Sequence, residues 1–306
     1  MTESVWGGER LDLDAYLARI GYEGDREPTP DTLRAVHAAH VAAIPFENLD
    51  VVLGRPIVLD LEALQEKLVG RRRGGYCYEQ NLLYAAALER LGFRVTGLAA
   101  RVRMGESKLR PVTHALLKVT FRDSRGGWGN GGGRDGGEGG DGGDGGDGAD
   151  GGEWITDVGF GGEALLAPLP LREGVESRQG VWTFGLVREQ GPGQGPWVLR
   201  SAREDGWLDV YAFGSEERFP VDYGVFNHYI STHPRSPFIR RAVVLRPGPE
   251  VRRSLIGTEL TLSRPGHADE VRQVAPEELP AVLAGEFGVE LDERDADALV
   301  KYNSQA

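Results

Sequence analysis

Arg73-Gly74-Gly75-Tyr76-Cys77-Tyr78-Glu79-Gln80-Asn81 holds the one cysteine of a 306-residue chain and leads straight into a helical run. A thiol in the first turn of a helix meets N–H groups that lack intrahelical partners, and the helix dipole adds positive potential. Both favour a thiolate. Gly74 and Gly75 allow a sharp turn and a close approach of substrate to backbone. A single cysteine makes no internal disulfide. Lone cysteines are most often small buried apolar residues, but this flanking sequence reverses the odds. A free thiol with pKa ~8.5 is only about 3% ionised at neutral pH, so complete ionisation gains at most ~30-fold in rate. A catalytic cysteine therefore needs a base and an orienting group as well.

The chain around this turn reads as helical up to Gly92. Thr29-Pro30-Asp31 places a capping threonine before proline at the first helical position, and Leu33, Val36, His37, His40, Val41 and Ile44 follow at helical spacing. Pro45 ends that helix. Asp60 is expected to cap a second helix that Gly70 ends, and a third starts near Cys77 and stops at Gly92. Beyond Gly92 the pattern changes. Val95 to Val102, Ala115 to Phe121, Trp154 to Val158, Gly180 to Val187 and Trp197 to Arg200 read as short strands of an antiparallel sheet or barrel. Ala242 to Leu245 and Thr258 to Leu262 add strands, and Glu277 to Phe287 adds a helix. The order is helices, then a β region, then an α/β piece.

Residues 126–152 belong to none of these, since 17 of the 27 are glycine and Gly-Gly-Asp repeats run through the segment. With almost no apolar side chain to offset ordering entropy, a disordered surface insertion is expected. A calcium β-roll would need a regularly placed apolar residue in each repeat, and none is present. Lengthening a ~5-residue turn to this size costs only about 1.5 kcal/mol of loop closure.

Composition narrows the partners. The formal charge of −12 argues against nucleic acid. No run of 18 apolar residues exists to span a membrane, and Met1 to Glu9 has no signal-peptide pattern, so a cytoplasmic protein is expected. Among six histidines, His37 and His40 lie on an apolar helical face and read as packing or surface residues. His233 and His267 stand in turns, whereas His114 opens the strand-like Ala115 to Val119, which can hold its ring rigidly. Asp157, flanked by Ile155, Val158 and Phe160, is an acid that burial would penalise without a partner. Cys77, His114 and Asp157 thus supply a nucleophile, a base and an orienter. Arg73 and Glu79 are expected to make structural contacts around the cysteine turn.

Ile44-Pro45-Phe46-Glu47-Asn48-Leu49-Asp50, the cysteine stretch, Thr113-His114, Asp157-Val158-Gly159-Phe160-Gly161 and Ser231-Thr232-His233-Pro234-Arg235-Ser236-Pro237-Phe238 together resemble, in order, the arylamine N-acetyltransferase family. The resemblance covers about residues 10 to 290. It implies an α+β fold in three parts with a cysteine-protease-like core: a helical bundle over 1–92, a central antiparallel β-barrel over 93–220 carrying the insertion, and an α/β lid over 221–306. It implies a Cys77-His114-Asp157 triad, and acetyl-CoA as cosubstrate without a metal. Acetyl would pass through an acetyl-cysteine to an arylamine or hydrazine in ping-pong order, as in xenobiotic metabolism. Phe46, Phe160 and Phe213 match substrate-pocket positions, and Thr113 and Gly159 match positions near the acetyl-CoA cleft. A related scaffold, the amide synthase that closes a polyketide macrolactam from a carrier-protein thioester, uses the same triad. So would a hydrolase with water as acceptor, while a binding protein would keep the fold without turnover. A monomer and a homodimer both fit the sequence.

Overall fold

The computed structural model of the chain describes residues 4–106, 108–121, 152–190 and 195–304. The insertion expected at 126–152 lies outside the described residues apart from Gly152. The first ninety residues hold helices α1 (Leu13–Ile20), α2 (Pro30–Ala43), α3 (Leu49–Val52), α4 (Leu61–Leu64) and α5 (Cys77–Arg90), with the two-residue strand β1 (Phe46–Glu47) between α2 and α3. Thr29 caps α2 as its sequence predicts, accepting from the Thr32 N–H. Asp60 precedes α4, but its side chain makes no capping bond there, and the helix runs on as a π turn over Gln65–Gly70.

Helix α5 is buried all along its first twelve residues, from Cys77 to Leu88. A helix enclosed on every side belongs at the centre of a core. Tyr78, Leu83, Tyr84 and Leu88 pack there against α1, α2 and the adjoining sheet. Each large apolar side chain so buried contributes ~1.5–3 kcal/mol.

Eight antiparallel strands follow: β2 (Arg94–Val102), β3 (His114–Phe121), β4 (Gly152–Thr156), β5 (Leu169–Pro170), β6 (Val175–Gln179), β7 (Trp182–Arg188), β8 (Trp197–Arg203) and β9 (Gly206–Phe213). Their spatial order is β5-β4-β3-β2-β9-β8-β7-β6, a nearly closed sheet whose two edge strands approach each other. β3 pairs with both β2 and β4, so His114 at its start and Asp157 just past the end of β4 emerge at one rim. The strands around Val95, Ala115, Trp154, Gly180 and Trp197 form with shifted ends. β4 stops at Thr156, two residues short of the predicted end, because Asp157 and Val158 turn toward α5.

The last third begins with α6 (Pro220–Thr232) and continues through β10 (Val243–Arg246), β11 (Arg252–Ile256), β12 (Glu259–Ser263), β13 (Glu270–Gln273), α7 (Leu279–Val282) and α8 (Glu293–Ser304). β10 to β13 form a second antiparallel sheet that β1 completes, with Phe46 opposite Leu245 and Glu47 opposite Val244. Asn48 secures this junction. It donates to the carbonyls of Phe238 and Arg241 and accepts the Val243 N–H at 2.7 Å. The chain just ahead of the cysteine turn is therefore tied to an element about two hundred residues later.

Candidate active site

Cys77 is the first residue of α5 and is 4% exposed. Its turn is held from several directions. Gly74 lies so close to the Pro45 carbonyl that a Cβ would sit 2.3 Å from the oxygen, which only glycine avoids. The three polar residues after the cysteine then reach three different neighbours. Glu79 accepts the Tyr76 N–H at 3.1 Å and the Lys67 ammonium at 2.7 Å. Gln80 donates to the Gly75 carbonyl at 2.7 Å and to that of Pro45 at 3.3 Å. Asn81 donates to the Ala115 carbonyl at 2.8 Å and to Asp157 Oδ1 at 3.1 Å.

His114 and Asp157 form a buried pair, with Nε2 at 2.6 Å from Oδ2. Oδ1 of the same carboxylate takes Asn81 Nδ2 and, at 3.0 Å, the Gly159 N–H. Burial alone would push the His114 imidazole down. The Asp157 charge, the hydrogen bonds to Asp157 and Cys77 and the Cys77 charge together outweigh it, and the imidazole is held up at about 10. Burial likewise works against the Asp157 carboxylate, but His114, Asn81 and the Gly159 N–H bring it below its ordinary value. Because Asp157 occupies Nε2, Nδ1 is the ring nitrogen left for the thiol. Cys77 Sγ stands 3.9 Å from the Thr113 carbonyl, one residue ahead of the histidine.

Aromatic rings enclose the pair. Phe160 meets the His114 ring edge-on at 5.0 Å, and Tyr211 lies 5.1 Å from it. Phe46 is buried beside Phe238 at 5.7 Å, next to the Phe160–Gly161 turn. Phe213 sits deeper, 2% exposed in the core of the eight-stranded sheet behind Tyr211. Gly159 touches the Cys77 backbone, and a Cβ there would lie 2.7 Å from Cys77 Cα. The structure thus gathers Cys77, Thr113, His114, Asp157, Gly159 and Phe160 at one point, with Phe46 at its edge and Phe213 behind it.

A protein-family model described as N-acetyltransferase matches residues 29–128 and 148–296. The arylamine N-acetyltransferase of Mycolicibacterium smegmatis is 35% identical over 297 residues, covering 95% of this chain and 97% of the relative. The chain belongs to the arylamine N-acetyltransferase family. It is accordingly an acyltransferase. The solved arylamine N-acetyltransferase of Nocardia farcinica superposes with a TM-score of 0.84 at 45% identity, covering 98% of this chain and 97% of that one. That of Mycobacterium marinum, solved in complex with CoA, superposes at 0.80 with 33% identity, covering 96% and 99%.

Beneath the cysteine turn of this family member lies a buried ion network that links distant parts of the chain. Arg73 donates from Nη2 to Glu47 Oε1 at 2.8 Å and stands 3.7 Å from both Asp50 and Asp295. Lys67 bridges Asp50 and Glu79 at 2.7 Å each, and Arg55 closes the set onto Asp295 of α8. Burial would push Lys67 down, but Glu79, Glu47 and Asp50 hold it above its ordinary value. Four carboxylates meet three cations, and Asp50 Oδ1, buried without a hydrogen bond, faces Arg55 at 3.6 Å and Arg73 at 3.7 Å. Arg73 and Glu79 therefore have the structural contacts their sequence position predicts. Sequence reading passes over Asn81, Gln80, Lys67 and Tyr211. The available signal was the run of three polar residues inside an otherwise apolar helix. An open cleft of about 420 Å3 lined by Arg101, Arg103, Lys108, Arg110, Glu189 and Asp209 contains none of the gathered residues. Its Arg103 is already paired with Glu189 and Asp209.

Among the described residues no group of three or more His, Cys, Asp and Glu could hold a metal ion. Among the same residues no helix is long and apolar enough to cross a membrane.

Proposed function

We propose that the protein transfers acetyl from acetyl-CoA to an arylamine or hydrazine, with Cys77 as nucleophile, His114 as base and Asp157 as orienter. The buried His114–Asp157 pair beside the first residue of α5 carries this reading. The donor is inferred from the CoA complex of the Mycobacterium marinum relative. The residues fit a thioester: a thiol in a helix's first turn, an imidazole with Nδ1 free to exchange its proton, and a neighbouring Gly159 without a side chain.

Cys77 Sγ, its proton held by His114, attacks the thioester carbonyl. Backbone N–H groups in the first turn of α5 lack intrahelical acceptors and face the developing oxyanion. As the tetrahedral centre collapses, the leaving thiolate takes the His114 proton, and acetyl stays on sulfur. The amine nitrogen then attacks that acetyl group, and His114 Nδ1 accepts its proton. Collapse expels the Cys77 thiolate beside an imidazolium, and the cycle closes in ping-pong order. Asp157 keeps the ring oriented and steadies its charge throughout. Phe46 and Phe160 form the aromatic wall for the acceptor with Phe213 behind, and Thr113 and Gly159 border the donor side.

The same reading divides the chain into a helical bundle over 1–92, a barrel over 93–220 and a lid over 221–306, with a cysteine-protease-like core and a cytoplasmic setting. Arylamine N-acetyltransferases among the relatives support amine acceptors over macrolactam closure. The decisive measurement is mass spectrometry after incubation with acetyl-CoA alone. An acetyl adduct on Cys77 is expected, and Cys77→Ala should lack both adduct and transfer while remaining folded. Wild-type transfer by Cys77→Ala would refute the assignment.

A further inference from the structure

Two histidines outside the reacting group, His37 and His40, are buried completely, one turn apart on the inner face of α2. Each uses both ring nitrogens, and each bond crosses to another element. His37 Nδ1 lies 2.7 Å from Thr156 Oγ1, and Nε2 lies 3.0 Å from the Leu165 carbonyl. A carbonyl only accepts, so Nε2 carries the hydrogen and Nδ1 accepts from the Thr156 hydroxyl. Tyr84 Oη, 3.4 Å from the same hydroxyl, is its second and longer acceptor. Thr156 immediately precedes Asp157, and Leu165 follows the Phe160 turn. His37 therefore grips both ends of the segment that carries Asp157, Gly159 and Phe160.

His40 does the corresponding work on the cysteine side. Gln80 Nε2 donates to the Gly75 and Pro45 carbonyls, which turns its Oε1 toward His40 Nε2 at 3.3 Å. His40 Nε2 is then the donor, and Nδ1 accepts from Tyr16 at 2.8 Å. Gln80 in turn holds the carbonyl of Gly75, two residues before Cys77. Burial keeps both rings neutral, with His37 near 4 and His40 near 3, so the two donor patterns persist at neutral pH.

We propose that His37 and His40 are positioning residues that set the separation between the cysteine turn and the aspartate segment, His37 through Thr156 and Leu165 and His40 through Gln80. The role rests on the triad reading above. An apolar ring of similar size would fill the same space but would remove the bonds from α2 to the Thr156 hydroxyl, the Leu165 carbonyl and Gln80 Oε1. Displacement of a reacting group by ~1 Å costs on the order of 100-fold in rate, so a partial slackening of this brace predicts a measurable loss.

The deciding variant is Thr156→Val, which keeps side-chain shape and removes only the hydroxyl that His37 holds. Three quantities are measured: the melting temperature, the rate of Cys77 alkylation by iodoacetamide against pH, and kcat and KM for transfer from acetyl-CoA to an arylamine. Expected is a folded protein with kcat and neutral-pH alkylation both lowered about tenfold or more, KM within about twofold, and recovery in Thr156→Ser. Gln80→Met breaks the other arm and is read in the same way. Folded variants with unchanged kcat and alkylation overturn the proposal, whatever their melting temperature. Unfolding of both variants overturns it in favour of a purely structural role. Failure of the triad reading shows instead in the unmodified protein, which would form no acetyl adduct on Cys77.

Discussion

The two sides of the β4 terminus treat a buried histidine in opposite ways. Thr156 and Asp157 are neighbours in extended chain and point apart, as consecutive residues of a strand do. Thr156 meets His37 with a hydroxyl, while Asp157 meets His114 with a carboxylate. Both imidazoles have lost nearly all contact with water. His37 responds by falling to about 4 and staying neutral, whereas His114 rises to about 10 and keeps its proton. Burial lowers both, so the difference comes from what faces each ring, chiefly the Asp157 carboxylate with Cys77 adding to it. Desolvation does not decide whether a buried histidine is neutral or charged; the residue facing it does.

Replacing that one partner should have the largest effect. Asp157→Asn gives His114 a neutral neighbour like that of His37, and the imidazolium loses its stabilising charge. We expect kcat to fall roughly 10^3–10^4-fold with the fold retained, the scale on which an orienting carboxylate matters in a triad. A loss under tenfold would mean that the carboxylate charge is not what distinguishes the two histidines.

Lys67 extends the comparison to a third buried base, which like His114 survives in charged form because carboxylates surround it. Lys67→Met strands Asp50 and Glu79 and is expected to cost about 3–5 kcal/mol. The midpoint of denaturant unfolding checks this, and an unchanged midpoint would show that Arg55 and Arg73 compensate.

The smallest effect lies in the pH dependence of stability. His37 and His40 titrate lower folded than unfolded, so between about 6.5 and 4 the unfolded chain binds more protons. Their contribution is complete above about 6.5 and is lost as the pH falls toward 4. His114 has the opposite sign. Its contribution is complete below about 6.5 and disappears as the pH climbs through about 10. Calorimetry should therefore find the melting temperature falling by roughly 5 °C or more toward pH 4, and again toward pH 10. A flat acid limb would remove His37 and His40 from the comparison.

Much of the site could be read from the chain because its parts carry local signals. Glycines before Cys77 mark the turn, the apolar run after it marks the helix, and His114 and Asp157 stand at strand ends that alternation locates. Strand limits were less legible, since β4 ends where Asn81 captures Asp157 and Val158, and nothing within β4 announces a partner on α5. β6, β9, α1, α6 and α8 also escaped, their short or mixed patterns being resolved only by what they pack against. Helical spacing leaves His37 and His40 as packing or surface residues, because it reports an apolar face but not what lies across it. The hydroxyl and the amide that give them direction are 119 and 40 residues away.

The ties between Glu47, Arg73 and α8 have a consequence for synthesis. The turn that presents Cys77 is braced by β10 through β1 and by Asp295 through Arg73. These braces leave the ribosome roughly 170 and 220 residues after the cysteine, which at ~5–20 residues per second is on the order of ten seconds or more. During that interval the nascent chain carries its thiol in a turn that is not yet fixed. The turn around Cys77 is thus completed late, and a product that stops before Asp295 carries the thiol without these braces.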